Sequence, residues 1–294
     1  MHQFLQSIGY SARMFNNEAI DKLLKKKEKQ FIKEARRYAS CDGTMLLEIR
    51  SYVNEDMGIC QTGYLTGPGK FARLTYYPFF CPKTEPFKGI TSSYITKDGV
   101  TYYIISDTLI PGMRLSIHSD NPYEHTMRTG NNLFEQETKM IVTGLSDDGV
   151  ILLPVRDEQT MGKNWSGYNY DVAALVEPDE NMILNAENIQ EATMESLSKL
   201  AEIDKRLDSE DMYSIVSTLC MPHVYESEMY FIIGIIEEVK TVENTDTGEN
   251  VYELKILVND ASFYVAVSED NLAGEPAVGC RFKGSVWLTA HICF

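Results

Sequence analysis

Residues 229–294 read Met229-Tyr-Phe-Ile-Ile-Gly-Ile-Ile-Glu-Glu-Val239, a polar turn Thr245-Asp-Thr-Gly248-Glu-Asn250, then Val251-Tyr-Glu-Leu-Lys-Ile-Leu-Val258, Ser262-Phe-Tyr-Val-Ala-Val267 and Cys280-Arg-Phe-Lys-Gly-Ser-Val-Trp-Leu-Thr-Ala-His-Ile292. Each run is short, rich in Ile, Val, Tyr and Phe, and bounded by Gly, Asp or Asn, the punctuation of β-strands. Gly234 and Gly284 sit inside strand-like runs, where a coiled sheet needs a bend or bulge without a Cβ. The pattern predicts a small β-barrel over residues 225–294, resembling the oligonucleotide-binding fold.

Working back from that segment, residues 1–224 predict an α+β domain. Apolar positions Ile20, Leu23, Leu24, Phe31, Ala35 and Tyr38 recur at helical spacing, so a helix is expected over about 18–39, capped by Asn16 or Asn17. Strands of a mainly antiparallel sheet follow over about 44–176, with Asp98-Gly99 and Asp148-Gly149 as tight hairpin turns. Gly67-Pro-Gly-Lys70 reads as another hairpin, because Lys70 leads into Phe71 and a strand and not into a helix. Residues 156–171 are loop-like around Trp165. Flanking helices are expected over about 187–220, ended by Met221-Pro222, with the domain boundary near 221–228. The three hairpins share turn chemistry without forming an internal repeat.

The chain has 294 residues, is 44% hydrophobic and carries a net charge of −16. It is ordinary globular material with no apolar run of the ~20 residues that a membrane helix needs. Its first residues lack the basic start and apolar middle of a signal peptide, so a cytoplasmic location is expected. Six cysteines, at 41, 60, 81, 220, 280 and 293, form no Cys-x-x-Cys pair and read as buried free thiols. Cys41 and Cys220 are placed at helix C-termini, where the dipole works against a thiolate.

Further phrases carry a family resemblance: Ser209-Glu-Asp-Met-Tyr-Ser-Ile-Val216, Met221-Pro222, Asn259-Asp260, Leu272-Ala-Gly-Glu-Pro276 and Val278-Gly-Cys-Arg-Phe-Lys-Gly-Ser-Val-Trp-Leu288. Together with the opening Met1-His-Gln-Phe-Leu-Gln-Ser-Ile-Gly-Tyr-Ser11, they resemble an uncharacterised family of proteins from anaerobic, Clostridia-type bacteria, a domain of unknown function. The resemblance implies a cytoplasmic bacterial protein and supplies no catalytic residues.

Three sets of residues invite chemistry. His118, Asp120 and His125, with Glu124, fall within eight residues and are of zinc- or iron-ligating type, although Pro122 is expected to break a helix that would align them. Residues 18–37 hold eight basic against four acidic side chains, a local balance of +4, so Lys22, Lys26, Lys29, Lys33 and Arg37 make a candidate interaction face. Its simpler reading is the solvated side of an amphipathic helix. Tyr252, Tyr264 and Trp287 supply aromatics on which single-stranded nucleic acid stacks in barrels of the oligonucleotide-binding type. The charge opposes that use: residues 229–294 carry four basic side chains against ten acidic ones, and phosphate binding is driven by counterion release. Trp165-Ser166-Gly167 is not a nucleophile elbow, since Gly162 stands four residues before the serine.

The leading expectation is a non-catalytic cytoplasmic binding or scaffold protein with protein partners and no cofactor. A nucleic-acid-associated protein comes second, and a metal-dependent enzyme at His118, Asp120 and His125 third.

Overall fold

The computed structural model describes residues 2–11, 16–40, 43–67, 70–95, 100–110, 113–129, 136–155, 213, 216–224 and 227–293. The expectations for Asp98-Gly99, the Trp165 loop, the strand at 170–176, the helices starting at 187 and the position of Cys41 lie outside those residues. Among the described residues no helix is long and apolar enough to cross a membrane.

A short 3-10 turn, Gln3–Ile8, precedes helix α1, Asn17–Phe31. The Asn16 side chain caps α1 by accepting the Ala19 N–H at 2.9 Å, the role expected of it. The helix is shorter than its periodicity predicts. After Phe31 the chain makes a 3-10 turn, and strand β1, Arg36–Ala39, pairs with β2, Met45–Tyr52. Tyr38 opposite Leu46 is 2% exposed, so strand pairing wins over helical propensity there. Next come β3, Met57–Gly67, and β4, Lys70–Phe80, joined as the expected hairpin with Gly67 opposite Lys70. β1 to β4 form one antiparallel sheet.

The second sheet has eleven strands. Its members are β5 (Phe87–Ile95), β6 (Tyr102–Ile110), β7 (Met113–Ser119), β8 (Gln136–Ser146), β9 (Gly149–Leu152), β10 (Leu219–Pro222), β11 (Met229–Glu243), β12 (Asn250–Val258), β13 (Ala261–Ser268), β14 (Leu272–Ala273) and β15 (Arg281–Cys293). Helix α2, Pro122–Thr129, lies between β7 and β8. Pro122 therefore opens a helix where a loop was expected; a proline at the first helical position gives up an N–H that has no partner there anyway. Leu219–Pro222, expected to end a helix, is instead a strand on β11. Asp148-Gly149 does not close a hairpin either. β8 and β9 both pair with β15, at residues 288–293 and 281–283, so the chain kinks there and continues along the same partner. Gly284 permits the kink, because a Cβ on it would lie 2.7 Å from the Asp148 carbonyl oxygen.

The pairings of the C-terminal strands run in a circuit. β11 joins β12, β12 joins β13, β13 joins β8 in parallel, β8 joins β15, and β15 returns to β11. Four of these strands come from residues 229–294, and the fifth, β8, comes from well before them. The expected boundary near residue 224 falls between β10 and β11, which pair with each other across it.

Alternation along the circuit separates two cores. Phe282, Val286, Leu288, Ala290 and Ile292 of β15 join Leu254, Ile256, Val265 and Val267 in one apolar cluster, which also takes Ile104, Leu115 and Met140 from the first half. Residues of opposite parity, Leu145, Val251, Ala266 and Trp287, face a second cluster made with Phe4, Leu5, Ile8, Ile20, Leu24, Phe79 and Phe80. These strands are buried on both faces, which is why they read as continuous apolar runs. The N-terminal segment is held onto the β11–β12 turn by polar contacts. Asn244 Nδ2 donates to the Ile8 carbonyl at 2.6 Å, and Lys27 Nζ, 6% exposed, meets Asp246 Oδ2 at 2.6 Å.

Candidate functional site

The outward face of β15 carries Trp287, Thr289, His291 and Cys293, and most of the unusual chemistry among the described residues lies against it. At its C-terminal half, β7 runs parallel to it, with His118 opposite Thr289. The β7–α2 corner is locked there. Asp120 N–H donates to the Ala290 carbonyl at 3.0 Å, and the Asn121 amide exchanges two 2.9 Å hydrogen bonds with the Ile292 backbone. Asp120 is thereby placed at 0% exposure.

A charge in that position needs partners, since burying it alone is prohibitive. It has two. His291 Nδ1 donates to Asp120 Oδ1 at 2.8 Å, and Arg50 of β2 donates to the Asp120 carbonyl at 2.8 Å, with a second guanidinium nitrogen 3.8 Å from Oδ2. Arg50 also lies over the Phe79 ring, 3.7 Å from its centroid. Burial pushes the Asp120 carboxyl upward, but His291 and Arg50 outweigh it and hold the group below its usual range. Burial likewise disfavours the His291 imidazolium, yet the adjacent Asp120 carboxylate, with a smaller contribution from Cys81, raises it to about 10. Glu48, beside Arg50, accepts the Tyr123 N–H at 3.0 Å and so caps α2; its burial raises it.

Nearer the N-terminal half of the same face is a cleft of about 360 Å³ at Trp287, the low end of the range for small-molecule sites. Trp287 stacks on Phe4 (5.4 Å between centroids) and packs on His118 (4.7 Å). Tyr103 stacks on Tyr94 (5.1 Å), and Tyr77 meets His118 edge-on (4.6 Å). The ring faces are thus largely taken by other rings. Edges and polar groups are left toward the opening: Thr75, Thr101, Tyr103, Gln3 and Glu228. Tyr103 Oη donates to Glu228 Oε1 at 3.4 Å. His2, also in the lining, is driven by burial to about 4 and is neutral at physiological pH. Among the described residues the lining holds no lysine or arginine.

The expected metal triplet is not brought together. His118 belongs to the aromatic cleft. Asp120 belongs to Arg50 and His291. His125 shares a 3.0 Å hydrogen bond with Ser119 Oγ, packs on Tyr102 and is lowered to about 4 by burial. Glu124 pairs with Arg36. Among the described residues no three His, Cys, Asp or Glu side chains are grouped to hold a metal ion.

The expected interaction residues are also dispersed. Lys22, Lys26, Lys29, Lys33 and Arg37 are exposed, but Lys22 is paired with Glu18 at 2.7 Å, and Lys33 and Arg37 lie beyond the end of α1. Tyr252 packs on the inner cluster, while Tyr264 and Trp287 face outward, so the three share no platform. Tyr264 Oη donates to Glu238 at 3.0 Å, and Tyr252 Oη to Glu269 at 3.5 Å. Cys220, expected at a helix end, is buried in β10 and pushed up to about 12.

Arg50, Cys81, His291, Tyr103 and Glu228 were not singled out by sequence. Asp120 and His291 are 171 residues apart and meet only through the parallel β7–β15 pair. The available signal was modest: a histidine on the polar side of an alternating strand.

The architecture defines a mostly β protein in which strands from both halves share one sheet, with a cleft and a buried ion-pair network against one strand. The family described as "Domain of unknown function, E. rectale Gene description (DUF3881)" matches residues 5–290, and the chain belongs to it. Neither the curated proteins nor the solved structures yield a match.

Proposed function

We propose that the protein is a non-catalytic cytoplasmic binding protein that takes an uncharged, hydroxyl-rich ligand of the saccharide class in the cleft at Trp287 and His118. The observation that carries this reading is the lining itself. Aromatic edges, two imidazoles, two threonines, two tyrosines, an amide and one carboxylate surround about 360 Å³, with no lysine or arginine among the described lining residues. Hydroxyls of a sugar ring find donors and acceptors at Thr75, Thr101, Tyr103 and Glu228, and its C–H groups find the exposed aromatic edges. A phosphate-bearing ligand would meet Glu228 and a chain of net charge −16.

The five-strand circuit supports reading the C-terminal strands with β8 as a small barrel of the oligonucleotide/oligosaccharide-binding type, whose relatives bind both ligand classes. The nucleic-acid alternative has less support, because Tyr252 and Tyr264 are bonded to carboxylates and the α1 lysines are partly paired. The cytoplasmic location is supported by five free thiols among the described residues.

The test is a thermal-shift and tryptophan-fluorescence titration of the Trp165→Phe protein with neutral mono- and disaccharides, beside an oligo-dT control. At least one saccharide is expected to raise the melting temperature and change Trp287 emission, with the response lost in Thr101→Val/Glu228→Gln. Silence to every saccharide at millimolar concentration, or a response to oligo-dT alone, overturns the proposal.

A further inference from the structure

We propose that the protein holds a small, flat, proton-bearing oxyanion of the bicarbonate type where β2 meets the β7–α2 corner, gripped by the side-on fork of the Arg50 guanidinium. The Arg50 side chain is 7% exposed. Its Nη1 donates to the Asp120 carbonyl at 2.8 Å. Nε and Nη2 are buried and have no hydrogen-bond partner among the described residues. Those two nitrogens carry the parallel N–H pair that grips two oxygens of one oxyanion. A buried guanidinium with that pair unused is costly unless something fills it.

Neither neighbouring carboxylate is free to do so. Asp120 Oδ2 stands 3.8 Å from Nη2, beyond hydrogen-bond reach, and is itself without a partner. It is held back because Oδ1 takes the His291 N–H at 2.8 Å, and because Asp120 N–H and the Asn121 amide tie the corner to β15. Glu48 lies two residues before Arg50, on the same face of β2. Its Oε2 is committed to the Tyr123 N–H at 3.0 Å, and its Oε1 is buried without a partner.

One group answers all these atoms together. Its oxygens accept from Nε and Nη2, and its O–H donates to Asp120 Oδ2, with Glu48 Oε1 as a second partner. The charges agree. His291 and Asp120 form an ion pair that cancels, and burial favours the neutral form of Glu48, so a single negative charge balances Arg50. The Phe79 ring, 3.7 Å from the guanidinium carbon, closes one side, and Glu48 and Asp120 are 1% and 0% exposed, so the ligand is small. Access is from the Trp287 cleft. Tyr77 in its lining is the cross-strand neighbour of Cys60, which is the neighbour of Arg50, a span of about 10 Å. The saccharide proposal is independent of this one, since none of its hydrogen-bonding residues belongs to the fork.

The test is a thermal-shift titration of the full chain in sealed samples at pH 8 and constant ionic strength, with bicarbonate, nitrate and phosphate. Bicarbonate is expected to raise the melting temperature saturably. Nitrate, of the same shape but without a proton to donate, and the larger phosphate should not. Arg50→Lys keeps the charge and loses the fork, and should weaken the bicarbonate response about tenfold. Glu48→Gln should leave the response in place and reduce it less. If Arg50→Lys gives no cooperative melt without anion, the wild-type contrast between bicarbonate and nitrate decides. No saturable response to bicarbonate, an equal response to nitrate or phosphate, or an unchanged response in folded Arg50→Lys overturns the proposal.

Discussion

The two faces of β15 are built on opposite principles. Inward, Phe282, Val286, Leu288, Ala290 and Ile292 enter one apolar cluster in which any residue of suitable volume and shape serves. Outward, Trp287, Thr289, His291 and Cys293 each meet a particular partner: Phe4 and His118, Thr143, Asp120, and the end of β8. The inner face depends on the circuit of strands being complete. The outer face depends on what the first half of the chain brings to it, from His2 to Asp120. A strand of period two can therefore hold the fold with one set of residues and the chemistry with the other.

The contrast breaks most completely if β8 is withheld. Residues 225–294 alone lack the strand that joins β13 to β15, and leave the outward apolar side chains uncovered. The isolated fragment is expected to give a poorly dispersed NMR spectrum and no cooperative melt, whereas an autonomously folded fragment would show that the circuit is not needed.

Within the whole chain, Phe282→Ala empties the inner face at a residue of 0% exposure. It should destabilise by about 3–5 kcal/mol in urea denaturation. A smaller effect falls on the outer face and depends on pH. The folded His291 holds its proton up to about 10, against 6.5 for an unperturbed imidazole. Between those values the folded state binds more protons than the unfolded, so its contribution is complete below about pH 6.5 and fades as pH rises. Asp120, depressed in the folded state, contributes above its ordinary value and loses that contribution as pH falls through its folded value. Raising the pH from 6.5 to 9 should remove on the order of 2 kcal/mol from wild type and distinctly less from His291→Gln, measured by chemical denaturation at each pH.

How far the sequence could be read follows from the same contrast. The strands of β11, β12, β13 and β15 were legible because alternation and Gly/Asn turns are local signals, and the hairpin at Gly67–Lys70 was legible for the same reason. The extent of α1 was misjudged, since Tyr38 continues a helical stripe while its burial is decided by Leu46 across a strand pair. The Asp148-Gly149 turn signal was present, but β15 runs long enough to pair on both sides of it. The candidate site suffered most. His118, Asp120 and His125 are close in sequence, and neighbouring residues at a strand–helix corner are sent to three surroundings. Asp120 and His291 are distant in sequence, and no local pattern joins residues across a parallel pair.

The most direct measurement of whether the outward face is the functional one is the Trp287 indole N–H resonance in a two-dimensional NMR titration of the Trp165→Phe protein with neutral saccharides. A saturable shift of that resonance is expected with at least one sugar, abolished by Thr101→Val/Glu228→Gln while the other dispersed resonances stay in place. An indole resonance that does not move with any saccharide, in a protein that remains folded, would contradict a binding role for that face.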